Sequence, residues 1–152
     1  MKNSSFKEIE KIILKAKNVL AAAHQGPDED VIGSLAALGM YFKKIKKPNY
    51  LLSVSGVPES LKFIPDAKLI KSKHPKTPYD LIIGLDYGSR WRLGLDGYIE
   101  KYPKIPILVF DYHPIADQGA DFGIVNTSYS STSELIYDYF KNIKFKIDKK
   151  IA

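Results

Sequence analysis

Apolar residues recur at helical spacing in some stretches of this chain and run unbroken in others. Phe6, Ile9, Ile12, Ile13 and Ala16 share one face, and Ser5 with Glu8 three residues later forms a capping-box pattern before them. A second helix is predicted from about Asp30 to Lys46, with Ile32, Leu35, Ala36, Leu38, Gly39 and Phe42 on its apolar side. A third is predicted from Arg92 to Lys101. A fourth runs over Ser131 to Lys141, burying Leu135, Ile136, Tyr139 and Phe140 and capped by Ser131 or Thr132. The unbroken apolar runs Val19 to Ala23, Tyr50 to Val54, Tyr79 to Leu85 and Ile105 to Phe110 predict buried strands. Phe122 to Val125 reads as a short edge strand, and Leu69-Ile70 as a brief strand in the proline-broken stretch between Pro58 and Pro78. Strands alternating with helices predict an α/β fold: a mostly parallel β-sheet flanked by helices.

A length of 152 residues suits one domain with a real core. There is no cysteine, which excludes disulfides, thiolate metal sites and cysteine nucleophiles. Any metal must therefore sit on oxygen and imidazole. The net charge of +6 favours anionic ligands without choosing among them. Lys43, Lys44, Lys46 and Lys47 suit the C-terminal end of a helix dipole, and Lys144, Lys146, Lys149 and Lys150 crowd the tail. No apolar run approaches the roughly 18 residues of a membrane span, and the first residues lack a signal-peptide core, so a cytoplasmic protein with no membrane partner is expected. No G-x-G-x-x-G follows the first strand and no P-loop is present, so no organic cofactor is expected.

In open parallel sheets, ligands bind beyond the carboxyl ends of the strands. Three such ends carry unusual side chains here: His24, Asp28 and Asp30; then Asp86; then Asp111, Tyr112 and His113. A core has no use for so many converging carboxylates, whose repulsion costs stability unless cations neutralise it. The oxygen-and-imidazole donor set suits Mn²⁺ or Mg²⁺, with Zn²⁺, Co²⁺ and Fe²⁺ as alternatives. Pro27 stiffens the first loop, and Gly33 permits close approach of a neighbouring segment or ligand. Asp28 or Asp30 can instead simply cap the following helix. Arg90 and Arg92 stand just beyond Asp86, where they can meet a phosphate. His74 lies in a Lys-Pro-rich loop and reads as exposed and without a role.

These residues resemble motifs of the DHH phosphoesterases. His24-Gln-Gly-Pro-Asp28-Glu-Asp30-Val-Ile-Gly33-Ser34 resembles the first motif, and Leu-Ile-Ile-Gly-Leu-Asp86-Tyr-Gly the second. Val-Phe-Asp111-Tyr112-His113-Pro114 resembles the Asp-His-His signature, and Phe122-Gly123, Asn126 and Ser130 to Leu135 resemble the end of that domain. The resemblance implies a two-metal hydrolase of phosphoesters or phosphoanhydrides, usually with manganese. His24 and Asp28 would then hold one ion and Asp30 the other, with Asp86 bridging them and His113 contacting the phosphate. Asp86 and His113 would be catalytic, and His113, Arg90 and Arg92 would face the substrate, a nucleotide or short oligonucleotide.

Two departures qualify that expectation. Tyr112 stands where the family has a histidine on the second metal, and a phenol with a pKa near 10 is a poor ligand at neutral pH. The second site is therefore expected to be weak or empty. The chain also ends at Ala152, before the family's last metal-ligand motif and its C-terminal substrate-binding domain, so residues 1–152 read as the catalytic domain alone. Apolar surface bared in this way favours self-association, most simply as a homodimer. The competing reading is a degenerate domain that binds one ion or a partner without catalysis.

Overall fold

The computed structural model describes residues 2–114 and 119–151. Its strands are β1 (Lys2–Asn3), β2 (Val19–Ala23), β3 (Asn49–Leu52), β4 (Leu81–Leu85), β5 (Ile107–Asp111) and β6 (Phe122–Val125). Its α-helices are α1 (Phe6–Lys15), α2 (Glu29–Lys44), α3 (Asp96–Lys101) and α4 (Thr132–Asn142). The strands form one six-stranded sheet in the order β1-β6-β5-β4-β2-β3, and every pairing is parallel. The α/β reading of the sequence is thus correct. Among the described residues, no helix is long and apolar enough to cross a membrane.

The buried strands sort their side chains with a period of two, because successive Cβ atoms point to opposite faces. Val19, Ala21 and Ala23 of β2, Ile83 and Leu85 of β4, and Leu108 and Phe110 of β5 pack into one apolar cluster with residues of α1, α2 and α4. The intervening Leu20, Ala22, Ile82, Ile107 and Val109 join a second cluster with Leu93, Leu95 and Tyr98. Helices therefore cover both faces, which is why the strands are apolar throughout instead of alternating. The Ser5–Glu8 capping box forms as its spacing predicts. Glu10 of α1 accepts the hydroxyls of Tyr41 on α2 (2.7 Å) and Tyr139 on α4 (2.5 Å), tying the three helices of one face together.

Four expectations need correction. β6 is not an edge, because Lys2–Asn3 pairs outside it; two polar residues before a helix carry no strand signal. Leu69 closes a 3₁₀ turn, Ala67–Leu69, and the strand pairing of this stretch with the sheet, among the described residues, is a single bridge from Leu52 to Lys71. The helix expected from Arg92 divides into a 3₁₀ turn, Arg90–Leu93, and α3, because Gly94 adopts φ +63° between them. No protein segment makes an unusually close approach at Gly33: a Cβ there would lie 3.8 Å from Ser133 Oγ, an ordinary contact.

Gly84 has the stronger steric requirement. A Cβ at this β4 position would enter the ring of fully buried Tyr87, which folds back under the strand end, and would press on Leu93. Overpacking of this kind costs about 1–3 kcal/mol. Gly84→Ala is expected to lower unfolding stability by that amount in urea titrations with an unchanged slope. Wild-type stability would show that the Tyr87 ring has room to move.

Candidate metal centre

Strand register sets the site. Ala23 of β2 pairs with Leu85 of β4, and Leu85 pairs with Phe110 of β5. The next residue on each strand is His24, Asp86 and Asp111, so these side chains stand in a row along the carboxyl edge. β2 and β4 are neighbours, yet β2 leads out to β3 on one side while β4 leads to β5 on the other. That reversal is a topological switch point, where the connecting loops part and leave a crevice.

Asp86 occupies the centre of the row. It adopts φ +53°, a left-handed conformation unusual for a residue with a side chain, while its N–H still donates to the Phe110 carbonyl at 3.0 Å. The chain thus turns sharply while holding the sheet. The side chain is only 3% exposed, and its Oδ1 accepts no hydrogen bond. A buried carboxylate oxygen left in this state is costly unless something positive meets it.

His24 approaches from β2. Its Nδ1 lies 2.8 Å from the Gln25 carbonyl, which can only accept, and 3.3 Å from Arg92 Nη2, which can only donate; the shorter contact assigns the proton to Nδ1. In the neutral ring Nε2 then offers its lone pair, 3.6 Å from Asp86 Oδ2 and 3.9 Å from Asp28 Oδ1. Asp28 caps α2 as well, since its Oδ1 accepts the Val31 N–H at 3.0 Å. The capping and ligand roles are compatible, because each carboxylate oxygen has two lone pairs. Atoms of His24, Asp28 and Asp86 all lie within 4.8 Å of one another, and a similar group joins Asp86, Asp111 and His113. Donors about 3–4 Å apart can close on an ion bonded at about 2.1 Å. An orphaned oxygen, an imidazole of set tautomer and a second carboxylate together fit a hard divalent cation.

Asp111 anchors the other side. It is fully buried, with Oδ2 accepting the Gly88 N–H (2.7 Å) and Oδ1 accepting both the N–H (3.0 Å) and ring Nδ1 (2.8 Å) of His113. His113 Nδ1 also lies 3.2 Å from the bare Asp86 Oδ1. With Nδ1 facing acceptors only, Nε2 is the atom left to meet a ligand.

Asp30 belongs to neither group. Its oxygens accept the N–H groups of Thr132 (2.8 Å) and Ser133 (2.7 Å), clamping the start of α4 to α2. Tyr112 stacks against His113 with centroids 4.3 Å apart. Burial pushes its hydroxyl above the ordinary 10.0, and the charges of Asp86, Asp30, Asp28 and Asp111 push it further, so it stays a neutral phenol. Arg92 places Nη2 3.3 Å from His24 Nδ1, whereas Arg90 turns to Asp96 at 3.8 Å. His74 is exposed but not idle, since its Nε2 lies 2.8 Å from the Gly94 carbonyl. Nothing in the spacing of the sequence points to that contact or to the Gln25 carbonyl, because both arise between segments or from backbone.

The family model for the DHH family, N-terminal domain, matches residues 18–152, and the chain belongs to that family. It is 27% identical over 150 residues to the "Probable bifunctional oligoribonuclease and PAP phosphatase NrnA" of Streptococcus mutans, covering 98% of this chain and 46% of that protein. The crystal structure of an exopolyphosphatase-related protein from Bacteroides fragilis shares the fold with a TM-score of 0.82 and 21% identity, over 92% of this chain and 44% of that one. Exonuclease RecJ, solved bound to manganese, aligns with a TM-score of 0.53 and 8% identity over 96% of this chain and 40% of its own. The chain thus spans less than half the length of these relatives.

Burial opposes charge on the His24 ring, but Asp86 and the Gln25 carbonyl outweigh it, and its pKa rises above 6.5. In the metal-free chain this group stabilises the fold fully below 6.5, and the contribution fades as pH rises through the higher folded value. A cation at Nε2 must displace the same proton. Melting experiments with and without Mn²⁺ are therefore expected to show a larger metal-induced rise in Tm at pH 8 than at pH 6. An equal or larger rise at pH 6 would remove His24 from the ligand set.

Proposed function

We propose that this domain is a metal-dependent phosphoesterase that holds Mn²⁺ or Mg²⁺ on His24, Asp28 and Asp86 and cleaves phosphoester bonds of nucleotides or short oligonucleotides. The observation that carries this reading is the buried Asp86 carboxylate at the switch point of the sheet, its Oδ2 facing His24 and its Oδ1, which accepts no hydrogen bond, facing His113. A divalent ion held there by His24, Asp28 and Asp86 would supply Lewis acidity toward a phosphoryl oxygen and a bound water. The protein's own groups bind and orient. His113, held by Asp111 through Nδ1, meets a phosphate oxygen as a donor from Nε2 when its ring is doubly protonated, and Arg92 adds positive charge behind His24. The nucleotide class is supported by the Streptococcus mutans relative, whose name joins an oligoribonuclease and a PAP phosphatase.

A second reading, one bound ion without turnover, is favoured by Tyr112. Its hydroxyl, a neutral phenol in the ion-free chain, is a weaker ligand for a second ion than an imidazole, and both Asp30 oxygens already serve α4. Asp30 would join a second ion only through its remaining lone pairs.

Native mass spectrometry of the Mn²⁺-loaded chain, paired with hydrolysis of bis(p-nitrophenyl) phosphate, separates the two. Asp86→Ala is expected to lose the ion and all hydrolysis. His113→Ala is expected to keep the ion and lose about a hundredfold or more in rate, the scale of removing a positioned acid–base group. Equal metal affinity in both variants would contradict the central role of Asp86. Wild-type metal binding with no hydrolysis would favour the binding-only reading.

A further inference from the structure

The 3₁₀ turn beyond the Asp86 loop exposes an aromatic ring that the proposed metal centre does not use. Trp91 is 62% exposed and is the chain's one tryptophan. It stands between Arg90 and Arg92, while Leu93 of the same turn is fully buried in the core. The turn thus anchors itself through Leu93 and leaves the larger indole in solvent. Exposing so much apolar surface has a cost, and tryptophan in such a position is a common recognition element.

The turn is also braced. The Arg92 carbonyl accepts the Gln25 N–H at 2.6 Å, joining it to the loop that carries His24 and Asp28. Arg92 N–H donates to Ser89 (3.0 Å) and Gly94 N–H to Trp91 (3.0 Å). Gly94 closes the turn at φ +63°, and His74 meets its carbonyl from a distant loop. A Cβ at Gly94 would press on Gln25 and Val54, so three segments converge on the end of this turn. Neighbouring Cα atoms are about 3.8 Å apart, so Trp91 begins one residue from the side chain that touches His24. Ordering costs at this turn are therefore met before any ligand arrives.

We propose that Trp91 is a stacking platform for the nucleobase of a phosphorylated nucleoside whose phosphate lies at the His24–Asp86 centre, with Arg90 and Arg92 flanking it. The inference rests on the phosphoester reading of that centre and narrows its substrates to base-bearing ones. Stacking is tolerant of base identity because every base has a π-face. A ring held at one site therefore selects nucleotides over simple phosphate esters, without reading sequence.

The sole tryptophan makes a direct test. The Mg²⁺-loaded protein is titrated with adenosine 5′-monophosphate and with ribose 5-phosphate, following indole fluorescence and, in parallel, heat of binding. The expected result is quenching by the nucleotide alone, with the nucleotide binding more tightly. By calorimetry, Trp91→Ala is expected to weaken nucleotide binding by about tenfold or more, on the scale of one base–aromatic stack, and to leave ribose 5-phosphate unchanged. Trp91→Phe is expected to recover most of the loss. Equal affinity for the two ligands in the wild type, or equal losses for both in Trp91→Ala, would overturn the platform while the phosphate site stands. If neither ligand binds the Mg²⁺-loaded wild type, the phosphoester reading fails and the platform fails with it.

Discussion

Everything at the carboxyl edge depends on parallel strands pairing in register across β2, β4 and β5. A parallel ladder aligns residues of the same rank, so the first residue beyond each strand falls beside its counterparts. His24, Asp86 and Asp111 are far apart in sequence, and this alignment brings them together. A one-residue slip of β4 would send Asp86 to the opposite face and exchange its two sets of core contacts, which the packed layers on both sides forbid. The apolar core thus enforces a polar geometry in which it takes no part.

The edge also concentrates local cost. Asp86 has a left-handed backbone and a buried oxygen without a hydrogen bond, and Gly84 is kept bare so that Tyr87 can fold beneath the strand end. Such features persist only where surrounding structure over-determines them. Here the Asp86 N–H stays in the sheet, the Gly88 N–H is held by Asp111, and His24 is held by a backbone carbonyl. At the far side, Asp30 clamps α4 to α2 while Glu10 gathers the hydroxyls of Tyr41 and Tyr139. The helical layer behind the site is therefore joined at two separate points.

Tyr112 bears on ion stoichiometry through electrostatics more than size. In the ion-free chain, burial and then the surrounding carboxylates drive its hydroxyl toward the neutral form, which ligates more weakly than a phenolate. A neutral phenol stacked on His113 can shape the mouth of the site and donate a hydrogen bond. In the proposed reading, the second ion depends on Tyr112 and on how much of Asp30 is left over from its structural task.

The fold class, most helices and the buried strands are legible in the sequence, because period and apolar length report directly on which faces are covered. His24 and Asp86 stand out as a candidate site for a related reason: burying polar and charged groups at the ends of apolar strands is too costly to serve packing alone, and Asp28 and His113 stand out by their places in the loops beside them. The strand at Lys2–Asn3, the division of the helix after Arg90 and the turn at Leu69 are not legible, since short or strained elements depend on neighbours remote in the chain. Sequence also offers Asp30 as a ligand, and tertiary structure shows its oxygens engaged by amides about a hundred residues away. The tautomer of His24, the orphaned Asp86 oxygen and the bracing of Trp91 belong wholly to tertiary structure. Hydrogen-bond partners and solvent exclusion arise only once separate segments meet.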